Sequence, residues 1–327
     1  MAKVVFSGIQ PSGNLHIGNY LGAVRHWAKG QDDGLNIFCV VDMHAITVEQ
    51  DPKVLRENTL STAAFLLAAG IDQEKSILFV QSMNADHANG GWIANCNISM
   101  GQMSRMTQFK DKSEGKQFVN VGLFDYPALM AADIILYSTT HVPIGDDQKQ
   151  HVELARDVAE RFNSRYGETF LLPEPVVGET GARIMSLVDP EKKMSKSDPN
   201  TSASVFLFDE PDVVRKKIMS AVTDSGAEVK ASPEKPGITN LLSIHSEFAE
   251  TSMEDSERQM QGLSYGDFKS KVADIVVEKL KPIQEKYAQI RGDDNKLLET
   301  LRGGAKKAQE ISHKKLTEVY DKIGFVS

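Results

Sequence analysis

Two periodicities divide the chain. Over its first 80 residues, short apolar runs alternate with longer stretches in which apolar positions recur every three to four residues. Residues 4–7, 37–41 and 76–80 read as strands, and residues 17–29 and 52–69 as helices. This alternation predicts a parallel α/β sheet. The first β-to-α turn is Gly8-Ile9-Gln10-Pro11-Ser12-Gly13. It falls at the carboxyl end of a strand, where such sheets bind ligands. From about residue 98 to 179 the pattern is mainly helical, including 127–137 and 147–166, and predicts a helical insertion at about 100–178. Ile184-Met185-Ser186-Leu187 then resumes a strand-like run. After Pro211, helix formers and charge dominate, with helices near 213–221, 265–291 and 296–323 and weakly patterned links at 223–239 and 292–294. The expected division is a sheet domain over 1–200 and a helical domain over 201–327.

Composition narrows the class without deciding function. The 327 residues are 41% hydrophobic and 25% charged, ordinary for a globular chain with one large domain and a smaller one. Residues 1–7 are too short and strand-like for a signal peptide, and no apolar run approaches a membrane span. Cys39 and Cys96 stand at no metal-ligand spacing, and Cys39, inside an apolar run, reads as a reduced core thiol. A cytoplasmic protein with no membrane partner is expected. Net charge −8 argues against a generic, strongly electrostatic nucleic-acid binder but leaves room for local basic patches.

Four features carry candidate chemistry. Glycines 8, 13 and 18 let the first turn approach a ligand, and the helix opening near Ile17 aims unpaired N–H groups at it. His16 and Asn19, three apart, share one side of that helical turn. The plainer alternative is a glycine-rich connection with a locally satisfied histidine, and the turn alone leaves the two even. Lys193-Met194-Ser195-Lys196-Ser197, followed by Asp198-Pro199-Asn200, is a cationic loop suited to a polyphosphate; alone it also reads as solvated surface. Asp133 has Leu129, Met130, Leu136 and Tyr137 as helical neighbours, an apolar face on which an ionised carboxylate is costly unless paired. Tyr126, Met130, Asp133 and Tyr137 share one stripe, which suits an indole with its single N–H; a core aspartate capping another segment is the alternative. Gly145-Asp146-Asp147 opens a helix, where an aspartate commonly serves as N-cap. No carboxylate cage for a protein-bound metal is visible.

His16-Ile17-Gly18-Asn19 and the lysine loop resemble the two signature motifs of class I aminoacyl-tRNA synthetases, with Asn19 in place of the second histidine of the first motif. Residues 106–112, 126–137, 145–151 and 181–186 are similar to segments of the tryptophanyl-tRNA synthetases. The resemblance implies a Rossmann-like nucleotide-binding domain with a helical insertion, then an α-helical domain for the tRNA anticodon. It implies activation of L-tryptophan by ATP, with Mg²⁺ carried on the triphosphate, and transfer to tRNA by a homodimer. Lys196 is then the leading catalytic group, with Lys193 and His16 on the phosphates and Asn19 positioning. The implied ATP contacts are Gln10, Pro11, Ser12, Gly18 and Asn19 from the first turn, Gly145, Asp146 and Asp147, the Ile184 backbone, and Lys193, Met194, Ser195, Lys196 and Ser197. The implied tryptophan pocket holds Asp133 on the indole N–H, with Met130, Tyr126, Phe6 and His44 lining it and Gln108 near the substrate carboxylate. Arg302, Lys306, Lys307, Lys314 and Lys315 form a basic helical stretch that is either a solvated face or an anticodon-arm contact. Three rivals stand beside this reading. A tyrosyl-tRNA synthetase would need a pocket for a phenol hydroxyl. A small nucleotidylyltransferase has no use for over a hundred further helical residues. Against a catalytically silent sensor of tryptophan or tRNA stand His16, Lys193 and Lys196, all present.

Overall fold

Strands buried on both faces are what the apolar runs build. In the computed structural model, which describes residues 2–11, 13, 15–109, 115, 118–145, 148–177, 183–196 and 198–326, Val4–Ile9 forms β1, Leu35–Val40 β2, Ser76–Val80 β3, His141–Ile144 β4 and Glu174–Val177 β5. All pair in parallel, in the spatial order β3-β2-β1-β4-β5. Alternate side chains enter opposite cores: Phe38, Val40, Leu78 and Val80 on one face, Ile37, Cys39, Ile77 and Phe79 on the other. The strand order reverses between β1 and β4, which opens a crevice at their carboxyl ends. Gln10 and Gly145 immediately follow those two strand ends.

β4 and β5 correct the expected insertion, because both lie inside 100–178. Each is four residues long and carries a proline, Pro143 or Pro175, a residue depleted from strands. Residues 184–187 form no strand; Met185 makes one isolated antiparallel bridge with Lys193.

Helix α1 runs through Ile17–Asn19, a π turn at Tyr20–Val24, and Arg25–Lys29. α2 is Pro52–Ala68, capped by Asp51, whose carboxylate accepts from the N–H groups of Lys53 and Val54 at 2.9 and 3.0 Å. α3 is Asp86–Asn95, α4 Val121–Ile135 and α5 Lys149–Tyr166. Beyond the lysine loop follow α6 (Pro211–Met219), α7 (Pro236–Ala249), α8 (Met253–Met260), α9 (Tyr265–Arg291) and α10 (Asp294–Ile323). The sequence reading passed over α7 and α8. Polar Asn240, Ser243, His245, Ser246 and Ser256 are buried in them, which blurs the apolar stripe.

Both cores cross the boundary expected near residue 200. One joins α1, α2 and one sheet face to α6, α7, α9 and the start of α10. The other joins the opposite face, α4 and α5 to Ala305, Ala308, Leu316 and Val319 of α10. α10 thus passes along the outer strand β3 from one core to the other, covering an edge that would otherwise present unpaired backbone. Gly304 sits at the crossing: a Cβ there would stand 1.9 Å from the Leu78 carbonyl oxygen, whereas its neighbour Gly303 has nothing within 4 Å. Opposite effects are expected from the same change at these two positions. Gly303→Ala should raise stability by about 1 kcal/mol through helix propensity, and Gly304→Ala should lower it by roughly 2–3 kcal/mol through overpacking. Urea unfolding monitored by circular dichroism checks both signs.

Candidate active site

The two signature segments meet through the short stretch 203–209. Backbone bonds from Ile17 N–H to the Val205 carbonyl and from Leu207 N–H to the Leu15 carbonyl, 3.0 and 2.9 Å, hold the first turn. The Ser204 hydroxyl donates to the Ser195 carbonyl in the lysine loop at 3.0 Å. That loop is also zipped to 184–186 by Met194 N–H to the Ile184 carbonyl (3.0 Å) and Ser186 N–H to the Lys192 carbonyl (2.8 Å). Beneath the bracket the nearly buried Lys217 ammonium donates to the Ser204 carbonyl and the Asp209 carboxylate at 2.9 and 2.7 Å, and lies 4.5 Å above the Phe206 ring.

His16 caps α1 with extended backbone, and Asn19 closes the turn, its side-chain oxygen accepting the His16 N–H at 3.1 Å. Gly18 leaves space for the imidazole: a Cβ there would stand 3.0 Å from two His16 ring atoms and 3.6 Å from Ile184 Cβ. The His16 pKa falls to about 4, mainly through burial and then through the charges of Lys196 and Lys193. At neutral pH His16 is therefore an uncharged donor. Gly13, at φ +62°, takes a left-handed turn that favours glycine. Gln10, Gly13 and Gly145 are exposed at the crevice mouth, Pro11 is buried, and Lys193 and Lys196 are exposed while Met194 anchors their loop in the core. Ser12, Asp146, Asp147 and Ser197 lie outside the described residues.

Asp133 is buried at 1% exposure on α4 and is not a lone acceptor. His44 Nε2 bonds Oδ2 at 2.7 Å, His87 Nδ1 bonds Oδ1 at 2.6 Å, and the Gln81 amide nitrogen bridges both oxygens at 2.9 and 2.8 Å. Burial alone would push this carboxyl up; the charge and hydrogen bond of His44, with the hydrogen bond from His87, hold it well below the usual carboxylate range. Gln81 is itself oriented, its oxygen accepting the Met43 N–H at 3.2 Å. Around this group His44 meets Tyr126 edge-on at 6.0 Å, and Phe6 stacks on Tyr137 at 5.7 Å. The Tyr126 hydroxyl bonds His151 Nε2 at 2.9 Å. Met130 is half-buried one turn before Asp133. Gln108 is half-buried on a segment whose next residue, Phe109, packs against Phe124 of α4 at 5.1 Å. Sequence reasoning missed Gln81, His87, Ser204 and Lys217. Among the described residues no group of three histidine, cysteine or acidic side chains could hold a metal ion, and no helix is long and apolar enough to cross a membrane.

The sequence matches the family model of tRNA synthetases class I (W and Y) over residues 2–281. It is 54% identical to the tryptophan–tRNA ligase of Wolinella succinogenes and 51% identical to that of Caldanaerobacter subterraneus subsp. tengcongensis, each over 325 residues, with 99% of this chain and 99% of the relative covered. The fold is similar to the crystal structure of tryptophanyl-tRNA synthetase from Mycoplasma pneumoniae, with TM-score 0.88 and 37% identity over 100% of this chain and 99% of that one. It is also similar to the Campylobacter jejuni enzyme complexed with ADP and tryptophan, with TM-score 0.85 and 36% identity over 98% and 100% of the two chains. The reversal of strand order beneath a glycine turn, the bracketed lysine loop and these full-length likenesses agree: the chain belongs to the class I aminoacyl-tRNA synthetases of the tryptophan and tyrosine group, and among them to the tryptophan–tRNA ligases.

Proposed function

We propose that the chain activates L-tryptophan with ATP, releasing pyrophosphate, and passes the tryptophanyl group from the adenylate to the 3′ end of a tRNA in the cytoplasm. The observation that carries this reading is the bracket of 203–209, which ties the His16 turn and the lysine loop to one crevice. The tryptophan carboxylate attacks the α-phosphorus in line while charge grows on the leaving pyrophosphate. Catalysis then rests on positioning and charge stabilisation. Lys196 and Lys193 are mobile point charges for the leaving group. Neutral His16 donates one hydrogen bond without repelling those lysines. Mg²⁺ enters with ATP as part of the substrate. Pyrophosphate exchange into ATP, run over all twenty amino acids, tests the reading; dependence on an amino acid other than tryptophan overturns it. In the same assay Lys196→Ala should slow adenylate formation by roughly 10²–10³ and leave tryptophan affinity nearly unchanged. Pre-steady-state rates near wild type would remove Lys196 from the mechanism.

Asp133 is assigned to the indole N–H. Gln81 bridges both carboxylate oxygens, so settling on one of them frees the other for the substrate. Asp133→Asn should weaken tryptophan binding by about 1.5–3 kcal/mol, the range for a hydrogen bond to a charged group. Phenylalanine, which has no such N–H, should lose less. The ratio of kcat/KM for the two amino acids is the measurement, and an equal loss for both would make Asp133 purely structural.

Two partners complete the reading. The exposed side chains of Arg302, Lys306, Lys307 and Lys314 on α10 support contact with tRNA by the segment after residue 200. A second copy fits the apolar surface around Asn120, which donates to the Thr47 carbonyl at 2.9 Å and so gathers exposed Ile46, Val48, Phe118 and Val121. Phe118 is 80% exposed and Val121 78%, unusual for a surface facing water alone. Light scattering should give a dimer for the wild type, with Val121→Glu shifting it toward monomer. A fully active wild-type monomer at micromolar concentration would discard the dimer.

A further inference from the structure

Ser312 is the one polar side chain on the buried stripe of α10, among Gly304, Ala305, Ala308, Leu316 and Val319. A hydroxyl in that setting has to be hydrogen-bonded. It donates to Asp86 Oδ2 at 2.7 Å, and its oxygen accepts from the Asn84 amide at 2.9 Å. The Asn84 amide is oriented by its own oxygen, which accepts the Asp86 N–H at 3.2 Å. Its second hydrogen goes to the Tyr137 hydroxyl at 3.1 Å. Tyr137 in turn meets His87 Nε2 at 2.7 Å, and His87 Nδ1 meets Asp133 at 2.6 Å. Ser312, Asn84 and His87 are 0% exposed and Tyr137 1%, so no solvent interrupts the line.

The hydrogens along this line run one way. Asn84 uses both of its amide hydrogens on Ser312 and Tyr137, and Ser312 gives its own to the Asp86 carboxylate, which can only accept. The Tyr137 hydroxyl hydrogen then points at His87 Nε2. That nitrogen becomes the acceptor, and the ring hydrogen is left on Nδ1, facing Asp133. We propose that Ser312 is a positioning residue for tryptophan recognition, acting through Asn84, Tyr137 and His87 to fix the tautomer and orientation of the imidazole that holds Asp133. The proposal rests on the assignment of Asp133 to the indole N–H. It makes a residue of the C-terminal helix part of the amino-acid site, although it touches no substrate.

A test needs a readout that general loosening would not move. In full-length enzyme, Ser312→Ala should raise the KM for tryptophan in pyrophosphate exchange by about 3- to 10-fold, the worth of one well-placed hydrogen bond, and leave the KM for ATP unchanged. The analogue in which sulfur replaces the indole N–H, benzothienylalanine, cannot donate to Asp133, so its KM should be the same in wild type and variant. Tyr137→Phe removes the hydroxyl in the middle of the line without changing side-chain shape. It should reproduce the effect, and the double variant should be no worse than either single one. Equal loss for tryptophan and the sulfur analogue, or additive losses in the double variant, would overturn the relay. Failure of the underlying assignment would look different: Asp133→Asn would then leave the preference for tryptophan over the analogue intact.

Discussion

A buried carboxylate is the constraint around which the sheet end is organised. An ionised group at the depth of Asp133 is tolerable only with several donors. Those donors come from separate parts of the chain: His44 after β2, Gln81 directly after β3, and His87 on α3, while Asp133 itself sits on α4. Satisfying one side chain therefore fixes the carboxyl ends of two strands relative to two helices. Gln81 and His87 are each pinned from behind as well, by the Met43 N–H and the Tyr137 hydroxyl. Breaking such a network by removing one member strands the others, so its parts hold each other in register.

The side proposed for the phosphates is built on a different principle. Its charges are kept in or near water, on an exposed loop, and only the supports are buried. Met194 is 2% exposed between Lys193 and Lys196, so the loop is anchored in the core from between its two cations. Lys217 supplies the positive charge that can afford burial, because two backbone-linked acceptors, the Ser204 carbonyl and Asp209, receive it and the Phe206 face covers it. Asp209 also accepts the Phe206 N–H at 2.8 Å. The bracket is thus held from beneath, while Lys193 and Lys196, proposed to follow the leaving group, stand exposed above it.

These two halves explain what the sequence could and could not disclose. The His16 turn, the lysine loop and the helix bearing Asp133 are contiguous segments, so their patterns are legible in one dimension. β1, β2 and β3 were equally plain, since burial on both faces demands unbroken apolar runs. β4 and β5 were not: four residues with a proline carry too little pattern, and pairing alone defines them as strands, β4 against β1 and β5 against β4. Gln81, His87, Ser204, Lys217 and Ser312 acquire their roles only through tertiary placement. No local periodicity marks a glutamine that bridges a carboxylate 52 residues away. The boundary near residue 200 followed a real change in composition, from apolar runs to charged helices. It could not register that α10 returns to cover β3, because the signal for that return is a single glycine against a carbonyl oxygen.

The state of Asp133 also revises how the site rejects other amino acids. A lone buried acceptor would penalise any side chain that failed to supply a hydrogen. In the structure the acceptor is already satisfied, so phenylalanine would leave Gln81 bridging both oxygens and pay no such penalty. On the proposed assignment, discrimination would come from what tryptophan gains, roughly 1.5–3 kcal/mol for a bond to a charged acceptor, or about 10- to 150-fold. The rest must come from shape. In the proposed pocket an indole would contact more of His44, Tyr126, Met130 and Phe6 than a single ring could, and unfilled apolar space costs the contacts of its lining. On that reading the hydrogen bond would orient the ring, and packing would do most of the rejecting.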